Sequence, residues 1–314
     1  MRKSLLLAAI FISSNLFATT WDEPWQDDVV KHADHFVKAL IKSSDEQKGL
    51  TIDIIKTIAG KPLSGEIKIT GFYLLELCSS TEGHGTEFHF NTDEAYFFIQ
   101  KNDKGNYCIS TPTSGYAYVR DSTVAATYRH SYHKCYVPAD VYEKTMGAIF
   151  NHYHNLPYDK AFIDGYINKY LALKPTGFAQ EEIETFFAQH VALETIHHLR
   201  LTGHYTKIIP FLQDVSNFHN QASAARALVA YNTAESKAAL LKVIKEPEGV
   251  NLVKVIAVWT LAAFEPKKLK TQLSEIAKNA NDESDGFGGD IMDPRICTYM
   301  PSAKEAIEKL IKKL

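Results

Sequence analysis

Cys78 and Cys108 stand thirty residues apart, with His84 and His89 between them, in the stretch CSSTEGHGTEFHFNTDEAYFFIQKNDKGNYCIST. Two cysteines and two histidines could hold a metal, run redox chemistry or simply bridge. Zinc wants four ligands, and cysteine-based sites offer them as close CxxC pairs, which neither Cys78 nor Cys108 has. A disulfide closing a loop of this length is worth roughly 3–4 kcal/mol on chain-entropy arithmetic. The expectation is therefore a Cys78–Cys108 bridge, with His84 and His89 as exposed polar residues. Cys135 and Cys297 remain, either as a second pair or as two buried thiols, since four cysteines permit three connectivities.

Other residues invite chemistry less directly. His130 and His133 in YRHSYHKC, and His152 and His154 in NHYHN, are metal-ligand types. With a nearby carboxylate they would make a metal-dependent hydrolase. In a strand, however, His130 and His133 point to opposite faces. His190, Glu194 and His198 fall at i, i+4 and i+8 and line one helix face. They lack the HExxH order that pairs two zinc ligands with a catalytic glutamate, so a solvated face or a ridge toward a partner is expected. Asn281, Glu283, Asp285 and Gly286 imitate the start of an EF-hand loop. Position 12 is Met292 rather than glutamate and position 8 is Gly288, so this run reads as an exposed insert. The sequence has no nucleophile elbow, phosphate loop or dinucleotide glycine pattern. No catalytic residue, metal or cofactor is expected.

The ends and composition bound the setting of these residues. MRKSLLLAAIFISSNLFATTW joins a basic start to a short apolar run and a small-residue exit, as secretory leaders do, with cleavage after Ala18. Losing Arg2 and Lys3 takes the formal net charge from −3 to −5. A mildly acidic chain argues against nucleic acid or anionic membrane as the main partner. About 296 mature residues suit two domains better than one core. No other run is long and apolar enough to span a membrane.

The texture changes near residue 137. Before it, DHFVKALIKSS, GLTIDIIKTI, GEIKITGFYL and EAYFFIQKNDKGNYCIS alternate apolar with polar residues. They predict five strands in a meander, with a bulge at Ile54-Ile55 and a hairpin turn at Asn102–Gly105. Five such strands favour a small closed barrel over an open sheet with bare edges. After Val137 the apolar spacing becomes helical. ARALVAYNTAESKAALLKVI aligns with AVWTLAAFEPKKLKTQLSEI at an offset of 32, matching Ala225 with Ala257, Ala230 with Ala262, Leu241 with Leu273 and Ile244 with Ile276. LETIHHLRLTGHYTKIIPFL falls in register one step earlier through Ile209 and Leu212. Helix pairs of this kind complete their cores by stacking. Ala224, Ala225, Ala227, Ala230, Ala262 and Ala263 are then core packing, and WDEPW is a segment laying two tryptophans onto the barrel or a partner.

Residues 178–280 resemble short HEAT-type repeats, an α-solenoid family that usually binds proteins. Residues 34–115 resemble the netrin-type OB barrel, also found in tissue inhibitors of metalloproteinases. The resemblance rests on HFVKALI, IIKTIAGKPLSGEIKI, Cys78, EAYFFIQ and Cys108 in CIST. The inhibitors use a cysteine at the mature N-terminus, where this chain has TTWDEPW, so that activity does not transfer.

The resulting expectation is an α+β multidomain protein. It comprises a signal peptide (1–18), a five-stranded OB-like β-barrel (19–136), a helical connector (137–177) and an all-α HEAT-like solenoid (178–314). Its expected role is non-catalytic protein binding in the periplasm or outside the cell. The alternatives are a hydrolase built on His130, His133, His152 and His154, or an inhibitor or immunity protein for one enzyme.

Overall fold

The computed structural model describes residues 19–45, 48–79, 88, 93–283 and 295–314. Residues 1–18, where a leader is expected, His84, His89 and the 284–294 part of the insert lie outside them. The N-terminal half carries β1 (Thr20–Asp22), α1 (Gln26–His32), β2 (His35–Asp45), β3 (Gly49–Gly60), β4 (Gly65–Phe72), β5 (Glu76–Ser79), β6 (Glu94–Lys101), β7 (Tyr107–Ile109), β8 (Tyr116–Arg120), β9 (Thr123–Thr127) and β10 (Lys134–Pro138). Helices follow: α2 (Ala139–Tyr153), α3 (Lys160–Leu171), α4 (Ile183–Leu199), α5 (Tyr205–Gln213), α6 (Phe218–Ala227), α7 (Ala234–Lys245), α8 (Asn251–Ala262), α9 (Lys270–Asn279) and α10 (Ala303–Lys313).

The five predicted strands form a closed barrel in the order β2-β3-β4-β7-β6 and back to β2. It is not a pure meander. β7 joins β4 in parallel, while the other neighbours are antiparallel. After β6, the β6–β7 hairpin places β7 beside β4 and closes the barrel. Asn102 organises that hairpin, its side-chain oxygen accepting from the amides of Lys104 and Asn106 at 3.1 and 3.0 Å, while Gly105 takes φ +82°. The expected bulge is present. The β2–β3 register jumps from Lys38↔Lys56 to Ala39↔Ile54 and leaves Ile55 turned outward.

β6 reads as a continuous apolar run because both its faces are buried. Ala95, Phe97 and Ile99 fill the barrel with Val37, Leu50, Ile52 and Ile69. Tyr96 and Phe98 face outward with Phe36, against Tyr142 and Phe150 of α2. β6 also pairs with β8, so the sheet extends through β8, β9 and β10 onto the helices. That extension was not legible in the alternation pattern.

Among the helices, α6 packs on both α4 and α8, and α5 and α7 return onto the first helix of the following pair. α10 lies across α8 and α9. Ala224, Ala225 and Ala227 are fully buried, Ala230 and Ala262 partly so, and Ala263 is exposed rather than packed. One apolar cluster runs without interruption from Phe36 and Tyr96 to Ile307 and Leu310.

The cysteines pair differently from the expectation. Cys78 bonds to Cys297 across 219 residues with Cα atoms 6.7 Å apart, while Cys108 and Cys135 are buried thiols. Neither Cys78–Cys108 nor Cys135–Cys297 forms. β5 leaves the barrel to pair with β1, taking Cys78 away from Cys108 on β7. The C-terminal segment runs along the other side of β1: Trp21 N–H donates to Arg295 O at 3.0 Å and Cys297 N–H to Trp21 O at 2.9 Å. Burial pushes the Cys108 thiol pKa up, against a weaker opposing contact from Asn102. Cys135 faces the core beneath α4, and its pKa is raised by burial as well.

Candidate functional site

The sharpest predicted constellation, on α4, is sealed. A polar stripe on a helix ordinarily faces water, but α4 is covered by α6 on one side and by β10 and α2 on another. Glu194 is fully buried between two guanidinium groups, Arg226 Nε at 2.9 Å and Arg129 Nη1 at 3.6 Å. Ser223 Oγ donates to Glu194 Oε1 at 2.7 Å and lies 3.0 Å from His190 Nδ1, while Arg129 Nη1 donates to Ser223 Oγ at 3.2 Å. Burial opposes ionisation of Glu194, but Arg226 and Arg129 outweigh it and hold its pKa below the usual value. Arg129 is pushed down to about 10 by burial, against the pull of Glu194.

Serine, histidine and glutamate thus meet, but not as a nucleophile and its base. With its proton given to Glu194, Ser223 accepts from His190 Nδ1–H, so the imidazole takes no proton from the hydroxyl. Ser223 and Glu194 also have no exposed surface. His190 is held neutral, its pKa pushed to about 3 mainly by burial. His198 donates through Nε2 to Tyr128 O at 2.6 Å and faces Tyr153 Oη through Nδ1 at 2.9 Å, with its pKa lowered by burial to about 4. The stripe expected to be solvated is a buried junction linking β-sheet, α4 and α6.

His130, His133, His152 and His154 do not converge. His130 Nε2 donates to Glu23 O at 3.1 Å and its Nδ1 accepts from Tyr132 N–H at 3.4 Å. His133 packs against His219 with ring centres 5.2 Å apart, and His154 donates to Val30 O at 3.0 Å. His152 lies edge-on to Tyr153. Ser131–His133 is a 3-10 turn rather than strand, and backbone contacts fix the His130 and His154 rings in separate places. Among the described residues, no group of three or more His, Cys, Asp or Glu is placed to hold a metal.

WDEPW fastens the N-terminus. Trp21 is fully buried in β1, and its Nε1 donates to Glu23 at 2.6 Å. Burial raises the Glu23 pKa despite donors that include Thr113, Trp21, Ser114 and Thr111. Trp25 rests edge-on to Trp259 of α8 and His130, with the Arg226 guanidinium 5.1 Å from its ring centre. The second tryptophan therefore lands on the helical half.

The open site lies elsewhere, and sequence reasoning missed it. Between α7 and the Glu265–Gln272 stretch is a groove of about 990 Å3. Leu241, Pro247, Pro266 and Leu269 form its apolar base, and Ala234 and Ala238 expose small side chains on one wall. Lys237, Lys242, Lys245, Lys267 and Lys268 rim it, against Glu246 and Glu265. It continues past Lys245, Pro247 and Gln272 into a second space of about 710 Å3 between Ile244, Ile276 and Ala280. Lys237 rests near the Phe264 ring, but Lys242, Lys245, Lys267 and Lys268 form no ion pair among the described residues. The signal in the sequence was only KAALLKVIK and PKKLK, charge runs that usually mark a solvated face.

No family model, curated protein or solved structure matches this chain.

Proposed function

We propose that this chain is an exported, non-catalytic protein-binding protein in which an OB-type barrel supports a short HEAT-type solenoid. The barrel's strand order, with the third and fifth barrel strands parallel, supports the first assignment. The stacking of α4 on α6 and of α6 on α8, with α5 laid on α6 and α7 on α8, supports the second. A disulfide is compatible with an oxidising compartment, and among the described residues no helix is long and apolar enough to cross a membrane.

The observation that carries the binding role is the groove beside α7: large, open, apolar at its base and ringed by uncommitted charge. The reactive side chains at the α4 junction are, by contrast, shut away from any substrate.

A photo-crosslinking amino acid at position 238, compared with one at exposed Asp164, tests the reading in cells that make the protein. A protein adduct of one mass from position 238, lost when Ala234→Arg on the exposed wall fills the groove, is the expected result. Adducts of equal yield from both positions, or none from 238, would overturn it.

A further inference from the structure

We propose that the groove beside α7 takes an acidic amphipathic helix from its partner, an inference that rests on the binding role proposed above. The charge and the shape of the groove select this occupant. The rim carries five lysines against two glutamates on a chain whose formal net charge is −3, so the local field is opposite to that of the whole molecule. Among the described residues, four of those lysines have no ion pair to give up on binding. A partner bringing aspartate or glutamate to both rims therefore gains contacts without breaking any.

The walls decide the partner's secondary structure. One wall is α7 and the other is the 265–269 turn leading into α9, where Lys267 N–H donates to Glu265 O and Leu269 N–H to Pro266 O, both at 2.8 Å, so the groove offers no strand edge for an extended peptide to extend. A helix arrives with its own backbone satisfied and can lay apolar residues at i, i+3, i+4 and i+7 along the base. The main groove alone is near the upper end of the ~300–1,000 Å3 of small-molecule clefts, and its continuation toward Ile276 carries it beyond that range. Gln272, shared by both spaces, marks where the helix would run from the α7 side toward α10.

The test uses a stapled, fluorescein-labelled peptide of roughly four helical turns, with leucines on one face and glutamates flanking them. Its counterpart has lysine for every glutamate. Fluorescence anisotropy with the full chain should show the acidic peptide binding more tightly, and weakening as salt rises. The K242E/K245E/K267E/K268E variant should lose about tenfold or more for the acidic peptide, as expected for several exposed charge pairs, and should gain affinity for the basic one. All four side chains are exposed, so the variant should stay folded, its melting temperature lowered only slightly by the acidic residues in the last turn of α7. Ala238→Arg, which narrows the groove without reversing it, should weaken both peptides.

Equal affinity for the two peptides, or acidic-peptide binding that survives charge reversal, would overturn the inference. So would capture by phosphatidylglycerol vesicles at the same lysines without any peptide preference. An adduct at position 238 alongside failed peptide binding would leave the binding role standing and remove only this partner class. Failure of both would remove both.

Discussion

The junction at Glu194 holds three charged side chains and the groove at Lys242 is rimmed by seven, and the two sets are held under opposite conditions. At the junction every charge is desolvated, so it persists only through partners: two arginines on one carboxylate, with a serine and a histidine completing the network. In the groove the lysines remain hydrated, and leaving them without partners costs little. Residue types at chemistry-like spacing proved to be architecture, whereas plain lysine runs around an apolar floor form the surface open to a partner. Access to solvent, rather than the inventory of side chains, separates the two.

The largest expected effect tests what fastens the sealed region. Replacing both Cys78 and Cys297 with serine should lower stability by up to about 5 kcal/mol, because the bridge closes a loop of 219 residues. Chemical denaturation measures this, and acidic-peptide affinity at the groove should be unaffected. A loss below about 1 kcal/mol would show that β1 and the Arg295–Cys297 segment hold together without the bond.

Glu194→Ala should cost about 3–5 kcal/mol by leaving Arg129 and Arg226 buried without their carboxylate. The denaturation midpoint reads it, and a change like that of a surface substitution would mean that water enters the junction.

Acid should act on the same region. Burial pushes the pKa of His190 to about 3 and that of His219 to about 4, from the ordinary value of 6.5. Below pH 6.5 the unfolded chain therefore binds protons that the folded chain refuses, and stability falls as pH drops toward 4. Each such histidine adds a slope of about 1.4 kcal/mol per pH unit inside that window. Glu194, held below its ordinary 4.5, contributes stability above that value which is also lost in acid. His190→Gln should flatten the profile of midpoint against pH, and a wild-type profile level between pH 7 and 5 would contradict the arrangement.

The smallest effect belongs to the groove. Lys242→Glu with Lys267→Glu should change stability by no more than about 0.5 kcal/mol, as exposed substitutions usually do. A loss as large as that of Glu194→Ala would erase the contrast between the two regions.

Much of the fold was legible because its signals are local. Alternation at Leu50, Ile52 and Ile69, the Ile54-Ile55 doublet and Gly105 announced the barrel strands, a bulge and a hairpin. The switch near Val137 coincides with the end of β10 at Pro138 and the start of α2 at Ala139. The site was less legible. His190, Glu194 and His198 do share one helix face, but spacing cannot say whether that face meets water or Arg226. Nor could it show that Lys242 and Lys267 border one groove.

The sequence by itself determined the periods of the five barrel strands, the turn at Asn102–Gly105 and the switch to helices near Val137, because these depend on residues within a few positions of one another. Tertiary structure alone decided that Cys78 meets Cys297, that the α4 stripe is sealed and that α7 and the Glu265–Gln272 stretch leave a groove. Those outcomes depend on which surfaces meet across tens to hundreds of residues, and burial, which no spacing rule records, then fixes whether a charge becomes a structural partner or an open contact.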